Sequence, residues 1–330
     1  MDLMEKDIKP MLAYSSSAFD DEDWICEIKL DGTRTICYFD ADRNHIRFLN
    51  RRMIDFTHKY PEIYSALPNA INARQVILDG EIVTYNKEGK PDFYSLQMRE
   101  HVDDKIKIDV LSKTIPATFV VFDILYLNGE ELIDKPLIER KKILRNVLKD
   151  NPFIRISEEF NGINCKKLFE EIKKIGFEGL MMKKKDSPYL IGKRSKFWLK
   201  IKNLKTIDAV IIGYTEGKGK REGYFGALVL GCYHKGKLFH IGRVGTGWDD
   251  EKLREIKNKL DEIAAECPVK DTLKNWQDYE KKYVVKWVQP RIVCEVKFME
   301  ITKDLMLRAP SFIRLREDKD AKECVLEENL

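Results

Sequence analysis

Eight consecutive residues, Glu27-Ile28-Lys29-Leu30-Asp31-Gly32-Thr33-Arg34, carry side chains able to do covalent chemistry. In an extended segment Glu27, Lys29 and Asp31 fall on one side and Ile28 and Leu30 on the other. Asp31-Gly32 then ends the strand with turn chemistry. A lysine is thereby held on a polar face between two acids, at the mouth of a turn. Lysine is a nucleophile only as the neutral amine. A free lysine has a reference pKa of about 10.4, so such a site must favour proton loss through nearby cations, a metal or desolvation. The alternative is a salt-bridged lysine at an exposed strand end.

A second chemical stretch is Ser195-Lys196-Phe197-Trp198-Leu199-Lys200-Ile201-Lys202. Trp198, Lys200 and Lys202 share one strand face. Two lysines side by side repel unless an anion lies between them, and a triphosphate is such an anion. Two further places present acids on apolar strands. In Val76-Ile77-Leu78-Asp79-Gly80-Glu81-Ile82-Val83, Asp79 and Glu81 share a face, where acids buried without partners are costly. In Gly176-Phe177-Glu178-Gly179-Leu180-Met181-Met182-Lys183, Glu178 stands beside a glycine where a strand enters a pocket.

These stretches, in this order, resemble the motifs of the covalent nucleotidyltransferases, and most closely the ATP-dependent DNA ligases. Lys29-Leu30-Asp31-Gly32 fits KxDG, and Glu27 and Arg34 fit the longer ExKxDGxR form. Asn50-Arg51 fits the second motif, Asp79-Gly80-Glu81 the third, Glu178-Gly179-Leu180-Met181 with Lys183 the fourth, and Trp198 to Lys202 the fifth. Arg316-Glu317-Asp318-Lys319 fits the sixth. "KPMLA" at Lys9–Ala13, "FWLKIK" and "LREDK" resemble the ligase module of bacterial and archaeal end-joining ligases.

The resemblance implies that Lys29 is the nucleophile that takes AMP from ATP, and that Glu27 and Arg34 belong to the nucleotide site. It implies that Arg51 contacts phosphate, that Glu81 binds the ribose hydroxyls, and that Phe122 stacks on the purine with Trp198 in the same site. Glu178, with Glu81, would serve a divalent cation, Mg²⁺ or Mn²⁺. Lys200 and Lys202 would hold the α-phosphate and favour proton loss from Lys29. Arg316, Asp318 and Lys319 would bind the leaving pyrophosphate when the C-terminal barrel closes. For several of these residues a plainer reading stands beside the implied one. Arg51 also fits a solvated basic turn, Glu81 a hairpin, Phe122 a core position, and the sixth motif a polar tail. Lys183-Lys184-Lys185 reads as a solvated charge run, and Lys218-Gly219-Lys220-Arg221 as a phosphate contact or a glycine-rich loop.

Positioning such a site takes two domains, and 330 residues suffice for both. The implied fold class is α+β. Residues 1–204 form an adenylation (nucleotidyltransferase, ATP-grasp-like ligase) domain of antiparallel sheets with helices, and residues 205–330 an OB-fold barrel. Strands read at Thr35–Phe39, His45–Leu49, Val76–Val83 and Ala117–Leu127, the last ending in an Asn128-Gly129 turn. Phe56–Glu62 reads as a short helix bounded by Pro61. Apolar residues at helical spacing mark amphipathic helices over 137–148 and 166–175, with Gly176 as a stop. Beyond residue 207 the pattern becomes short strands at 209–214, 226–233, 238–247 and 292–298, with one helix from Asp249 to Ala265.

Composition restricts the classes. The chain is 43% hydrophobic and 35% charged, as globular proteins are, and no apolar run approaches the roughly 20 residues of a membrane span. Net charge is only +4, so total charge says nothing of nucleic acid. Seven scattered cysteines, never as CxxC, argue for reduced thiols in a cytosolic compartment and against structural zinc. There is no Walker or Rossmann phosphate loop, so ATP would be held without a P-loop. The expected partner is nicked double-stranded DNA, with a Ku-type end-binding protein and a companion polymerase or primase in the end-joining setting. No membrane is expected, and the chain reads as a cytoplasmic, prokaryotic monomer. The rivals are an RNA ligase or GTP-using capping enzyme and, from another class, a non-catalytic nucleic-acid-binding protein that keeps the fold.

Overall fold

The alternating stretches at 24–30 and 194–202 lie in one sheet, with the strand Gly179–Lys184 between them. In the computed structural model, which describes residues 2–326, the chain divides into two compact units, residues 1–203 and 204–330. The first unit contains two sheets. One orders its strands Leu12–Ser15, Arg194–Lys202, Gly179–Lys184, Trp24–Ile28 and Glu159–Asn161. The other runs His45–Asn50, Thr33–Asp40, Gln75–Thr84, Ala117–Leu127 and Glu130–Glu131, with Ile154–Ile156 beside Ala117–Leu127. Pairing is antiparallel apart from two short strands: Leu12–Ser15 lies parallel to Arg194–Lys202, and Ile154–Ile156 parallel to Ala117–Leu127.

Ala117–Leu127 is buried almost throughout because both its faces meet apolar partners. Phe119, Val121 and Ile124 pack with Ile63 and Leu67 of the helix Pro61–Ala70. Phe122, Leu125 and Tyr126 join a second cluster with Ile36, Tyr189 and Trp198. At about 25 cal/mol per Å² of apolar surface, such burial is the main force holding the sheet in place. Asn128 and Gly129 take positive φ (48° and 99°), the conformation a tight hairpin turn requires, and return the chain into Glu130–Glu131.

Pro61 begins a helix and does not end one. Only a single 3₁₀ turn, Thr57–Lys59, precedes it, and Pro61–Ala70 follows. The first turn of a helix has no use for the amide hydrogen that proline lacks, so proline suits that position. The helices Leu137–Val147 and Cys165–Ile175 form as their spacing predicts, and Gly176 stops the second at φ +81°. Two further helices form that the sequence reading does not name, Lys105–Thr114 and Trp276–Tyr283; the latter sets Trp276, Tyr279 and Tyr283 against the core of the second unit.

The thiol expectation needs correction. Cys26 and Cys165 form a disulfide with Cα atoms 6.3 Å apart, while the five remaining cysteines are buried thiols outside any disulfide. The two partners lie 139 residues apart in the chain, so no local spacing announces them. Tertiary packing sets the first residue of a helix against the middle of a strand.

The second unit is one antiparallel sheet, ordered Lys237–Val244, Phe225–His234, Lys205–Glu216, Val285–Phe298 and Ser311–Leu315. The helix Asp250–Asp261 adds Leu253, Ile256 and Leu260 to its core. Val285–Phe298 starts seven residues before the expected strand at Ile292 and carries Pro290 inside it; the pairing with Lys205–Glu216 shifts register there, which lets a strand keep a proline. Five strands with one principal helix are the count an OB barrel needs. Among the described residues, no helix is long and apolar enough to cross a membrane.

Candidate active site

Three rows of side chains cross the first sheet, and its register sets them. Gly179 is opposite Lys202, and the Lys29 amide donates to the Gly179 carbonyl at 2.9 Å, so Lys29, Gly179 and Lys202 form one row. Glu27, Met181 and Lys200 form the next, and Ile25, Lys183 and Trp198 the third. The period of two read at Glu27–Asp31 and at Trp198–Lys202 is one surface in space, joined by the strand Gly179–Lys184 between them. That surface lines a cavity of about 280 Å³ together with Arg34, Arg51, Glu81 and Phe122 from the second sheet and its turns.

Lys29 Nζ donates to Glu178 Oε2 at 2.5 Å, and Glu178 Oε1 lies 3.8 Å from Lys202 Nζ. Gly179 is what permits this crossing. A Cβ there would lie 1.9 Å from the Ile201 carbonyl oxygen, and its φ of +151° suits only glycine. Glu81 also feels this group. Burial lifts its carboxyl to about 7, against the opposing pull of Arg34 and Lys29 and with a further push from Glu178. Burial lowers the Lys200 ammonium below the usual lysine range, and Lys202, Arg194, Lys29 and Arg51 add like-charge repulsion. An excess of cations around a cavity is an anion site.

The far wall is aromatic. Trp198 is buried and stands edge-on to Phe122 at 6.0 Å and to Tyr189 at 5.7 Å. Lys183 is not a solvated lysine. It is 1% exposed, its Nζ lies 4.1 Å from the Phe122 ring centre and 4.3 Å from that of Trp198, and it donates to Glu27 at 2.7 Å. Burial pulls its ammonium down to about 8, with Glu27 resisting. Burial also opposes ionisation of Glu27, yet Lys141 and Lys183 outweigh it and hold that carboxyl below its ordinary range. Arg34 is fixed by both oxygens of Asp79, at 2.5 Å each, and lies 4.6 Å from the Phe122 ring centre; Tyr189 also donates to Asp79 at 2.6 Å.

The structure therefore brings together Glu27, Lys29, Arg34, Arg51, Glu81, Phe122, Trp198, Lys200 and Lys202 around one cavity, with Glu178 reaching it through Lys29. Arg316, Asp318 and Lys319 belong to the second unit. There Arg316 donates to both oxygens of Asp208 at 3.0 Å and to Asp318 at 2.9 Å, and Lys319 donates to Asp208 at 2.9 Å. Arg221 turns inward to the carbonyls of Gly226 and Gly245 and toward Trp248, so its guanidinium is not a free phosphate contact. The sequence places Asp79 and Lys183 in motifs without giving either a site role, and it does not single out Lys141 or Arg194 for the site. The signal for Lys183 was available: in Gly179–Lys184 it has the same parity as Gly179 and Met181.

Residues 10–202 match the family model of the ATP dependent DNA ligase domain, and residues 221–319 that of the ATP dependent DNA ligase C terminal region. The chain belongs to the ATP-dependent DNA ligases. It is 32% identical over 336 aligned positions to a DNA ligase of Thermococcus fumicolans, covering 96% of this chain and 57% of that one. It is 34% identical to the multifunctional non-homologous end joining protein LigD of Mycolicibacterium smegmatis, covering 98% of this chain and 40% of that one. It thus spans about half the length of these curated relatives. The ligase domain of M. tuberculosis LigD superposes with a TM-score of 0.53 at 28% identity, over 98% of this ligase-family chain and 99% of that one. A mycobacterial DNA ligase D complexed with ATP and MES gives 0.54 at 29%, with the same coverage.

Proposed function

We propose that the protein is an ATP-dependent DNA ligase that seals nicks between a 5′-phosphate and a 3′-hydroxyl through lysyl-AMP and DNA-adenylate intermediates. The observation that carries this is the Lys29–Glu178 pair at 2.5 Å, beside a cavity lined by Lys200 and Lys202. Lys29 Nζ has a carboxylate in place to take its proton. Freed of charge, it attacks the α-phosphorus of ATP: an N–P bond forms, the bond to the pyrophosphate oxygen breaks, and the second amine proton leaves. Lys200 and Lys202 offset the charge that builds on the phosphoryl oxygens. AMP then passes to the 5′-phosphate of the nick, and the 3′-hydroxyl displaces it to leave a phosphodiester. In-line placement at each step is what the protein must provide.

The base would lie against Phe122, where Glu27 offers an acceptor and Lys183 a donor. That pair complements the adenine edge, which presents an amino group beside an acceptor nitrogen. Guanine presents the reverse. Glu81 and Glu178 offer carboxylate oxygens that suit Mg²⁺ or Mn²⁺, which would complete its coordination with phosphate oxygens and water and offset negative charge there. Among the described residues no group of three or more histidines, cysteines or acids gathers as a self-sufficient metal cage. Arg316, Asp318 and Lys319 are assigned to the pyrophosphate.

The end-joining role rests on the LigD likeness, and with it a Ku-type end-binding protein and a companion polymerase as partners. Two assays test the reading. Purified protein with ATP and Mg²⁺ gains one adenylyl mass on Lys29, and a Lys29→Ala variant gains none. It also seals a 5′-phosphorylated nick, assayed with a deoxy- and a ribonucleotide 3′ end. Labelling by GTP and not ATP, or no label at all, overturns the reading.

A further inference from the structure

We propose that Lys141, on the helix Leu137–Val147, is a positioning residue for base selection, holding Glu27 as an anionic acceptor toward the nucleotide base. This rests on the ATP reading above and adds a residue that lies in none of the six motifs. Glu27 divides its two carboxylate oxygens between two lysines. Oε1 ion-pairs with Lys141, and Oε2 accepts from Lys183 at 2.7 Å. All three side chains are almost wholly buried, at 3%, 1% and 1% exposure for Glu27, Lys141 and Lys183. Glu27 and Lys183 line the cavity, and Lys141 does not. Lys141 therefore acts through Glu27.

One lysine and one carboxylate would make a neutral pair. The second lysine has a different consequence. A carboxyl this deep in the protein tends to keep its proton, because low-dielectric surroundings disfavour the anion. Protonated, Glu27 becomes a donor, and both groups facing the base edge then donate. Adenine's amino group loses its acceptor, while the guanine oxygen gains a donor. Lys141 thus supports ATP over GTP without touching either. The charged groups facing Glu27 are Lys183 from Gly179–Lys184, Lys141 from its helix, and Glu159 on the neighbouring strand. Glu159 lies 3.6 Å from Lys141 and is itself held by Arg145 at 2.8 Å. Farther off, Asp123 acts on Lys183 and is paired with Arg140.

The test measures adenylation of full-length protein by ATP and by GTP, from about pH 6 to 8.5. Lys141→Met is expected to raise the KM for ATP at least tenfold at neutral pH, with kcat within about threefold of wild type. The ratio of its KM to the wild-type KM should shrink as pH rises and Glu27 ionises, and its ATP-over-GTP preference should fall at least tenfold. Lys141→Arg should restore both. A lysine needed only for packing would not create that pH-dependent ratio. Should Lys141→Met not fold, the comparison moves to Glu27→Gln with and without Lys141→Met. There the second change should alter the ATP KM by less than twofold, because Glu27 can no longer titrate. A folded Lys141→Met with wild-type KM at every pH, an arginine variant that behaves like methionine, or a further KM rise in the Glu27→Gln background overturns the proposal. Wild-type protein that takes no label from ATP instead defeats the ligase reading on which it rests.

Discussion

The Lys29 ammonium and the Glu178 carboxylate meet at 2.5 Å although 149 residues separate them in the chain. Glu178 precedes the strand Gly179–Lys184, and Lys29 follows Trp24–Ile28, so antiparallel pairing of these strands makes the contact. The pair provides an acceptor for the proton that Lys29 must lose. Glu178→Gln keeps the shape and removes the base, and should slow adenylation by about 10²–10⁴-fold, the range of general base catalysis. Quench-flow formation of the adenylyl-protein measures it. An unchanged rate would assign proton removal to another group.

Glu81 supplies a pH signature. Its carboxyl titrates near 7 in the fold because burial outweighs Arg34 and Lys29, against 4.5 ordinarily. Between those values the folded protein holds a proton that the unfolded chain has released. Stability therefore falls as pH rises through the window, by at most about 1.4 kcal/mol per pH unit. Glu81→Gln removes the titration. The melting temperature of the variant minus that of wild type should increase from about pH 5 to about pH 7, and thermal melts across that range check it. A difference independent of pH would mean that Glu81 is ionised throughout.

Four of the site residues named from the sequence, Lys29, Glu81, Lys200 and Lys202, share one property: a polar side chain at even spacing in an apolar strand. They stand out because period-two alternation gathers polar residues on one strand face, a pattern that a salt-bridged strand end or a hairpin also presents and that only the motif order turns into a site. Lys183 has the same parity, yet it sits in a run of three lysines, and such runs read as solvated. Its partner Glu27 is 156 residues away, so only tertiary structure shows that this lysine is buried and paired. Lys141 is hidden for the same reason, on a helix whose apolar stripe reads as packing. The strands themselves were legible from residue type and turns. Pro61 misleads because a proline marks a boundary without saying on which side the helix lies.

The Cys26–Cys165 disulfide ties the strand that leads to Lys29 to the helix that leads to Glu178. Denatured without reductant, the protein should titrate five thiols; reduced first, it should titrate seven. Cys165→Ser should lower stability by about 2–4 kcal/mol under oxidising conditions, because the bond closes a long loop in the unfolded chain. Under reducing conditions the gap between variant and wild type should close to the small cost of the substitution itself. Seven thiols without reductant would show that the two cysteines are free.

Gly179 gives the sharpest steric prediction. It lies between Lys29 and Lys202 in one row across the sheet, at φ +151°, with the Ile201 carbonyl oxygen 1.9 Å from where a Cβ would stand. Backbone cannot yield as a flexible side-chain end can, so Gly179→Ala must push two paired strands apart. Holding a non-glycine residue in that conformation costs about 1–3 kcal/mol before the clash is counted. The strand shift also moves Glu178, one residue earlier, away from Lys29. Gly179→Ala should therefore lower the melting temperature and slow adenylation together. Gly236→Ala serves as the control: it also has positive φ, at +75°, but nothing lies within 4 Å of its Cβ position. It should lose stability without losing the adenylation rate. A Gly179→Ala protein that adenylates at the wild-type rate would show that the Lys29–Glu178 spacing is not set by this crossing of strands.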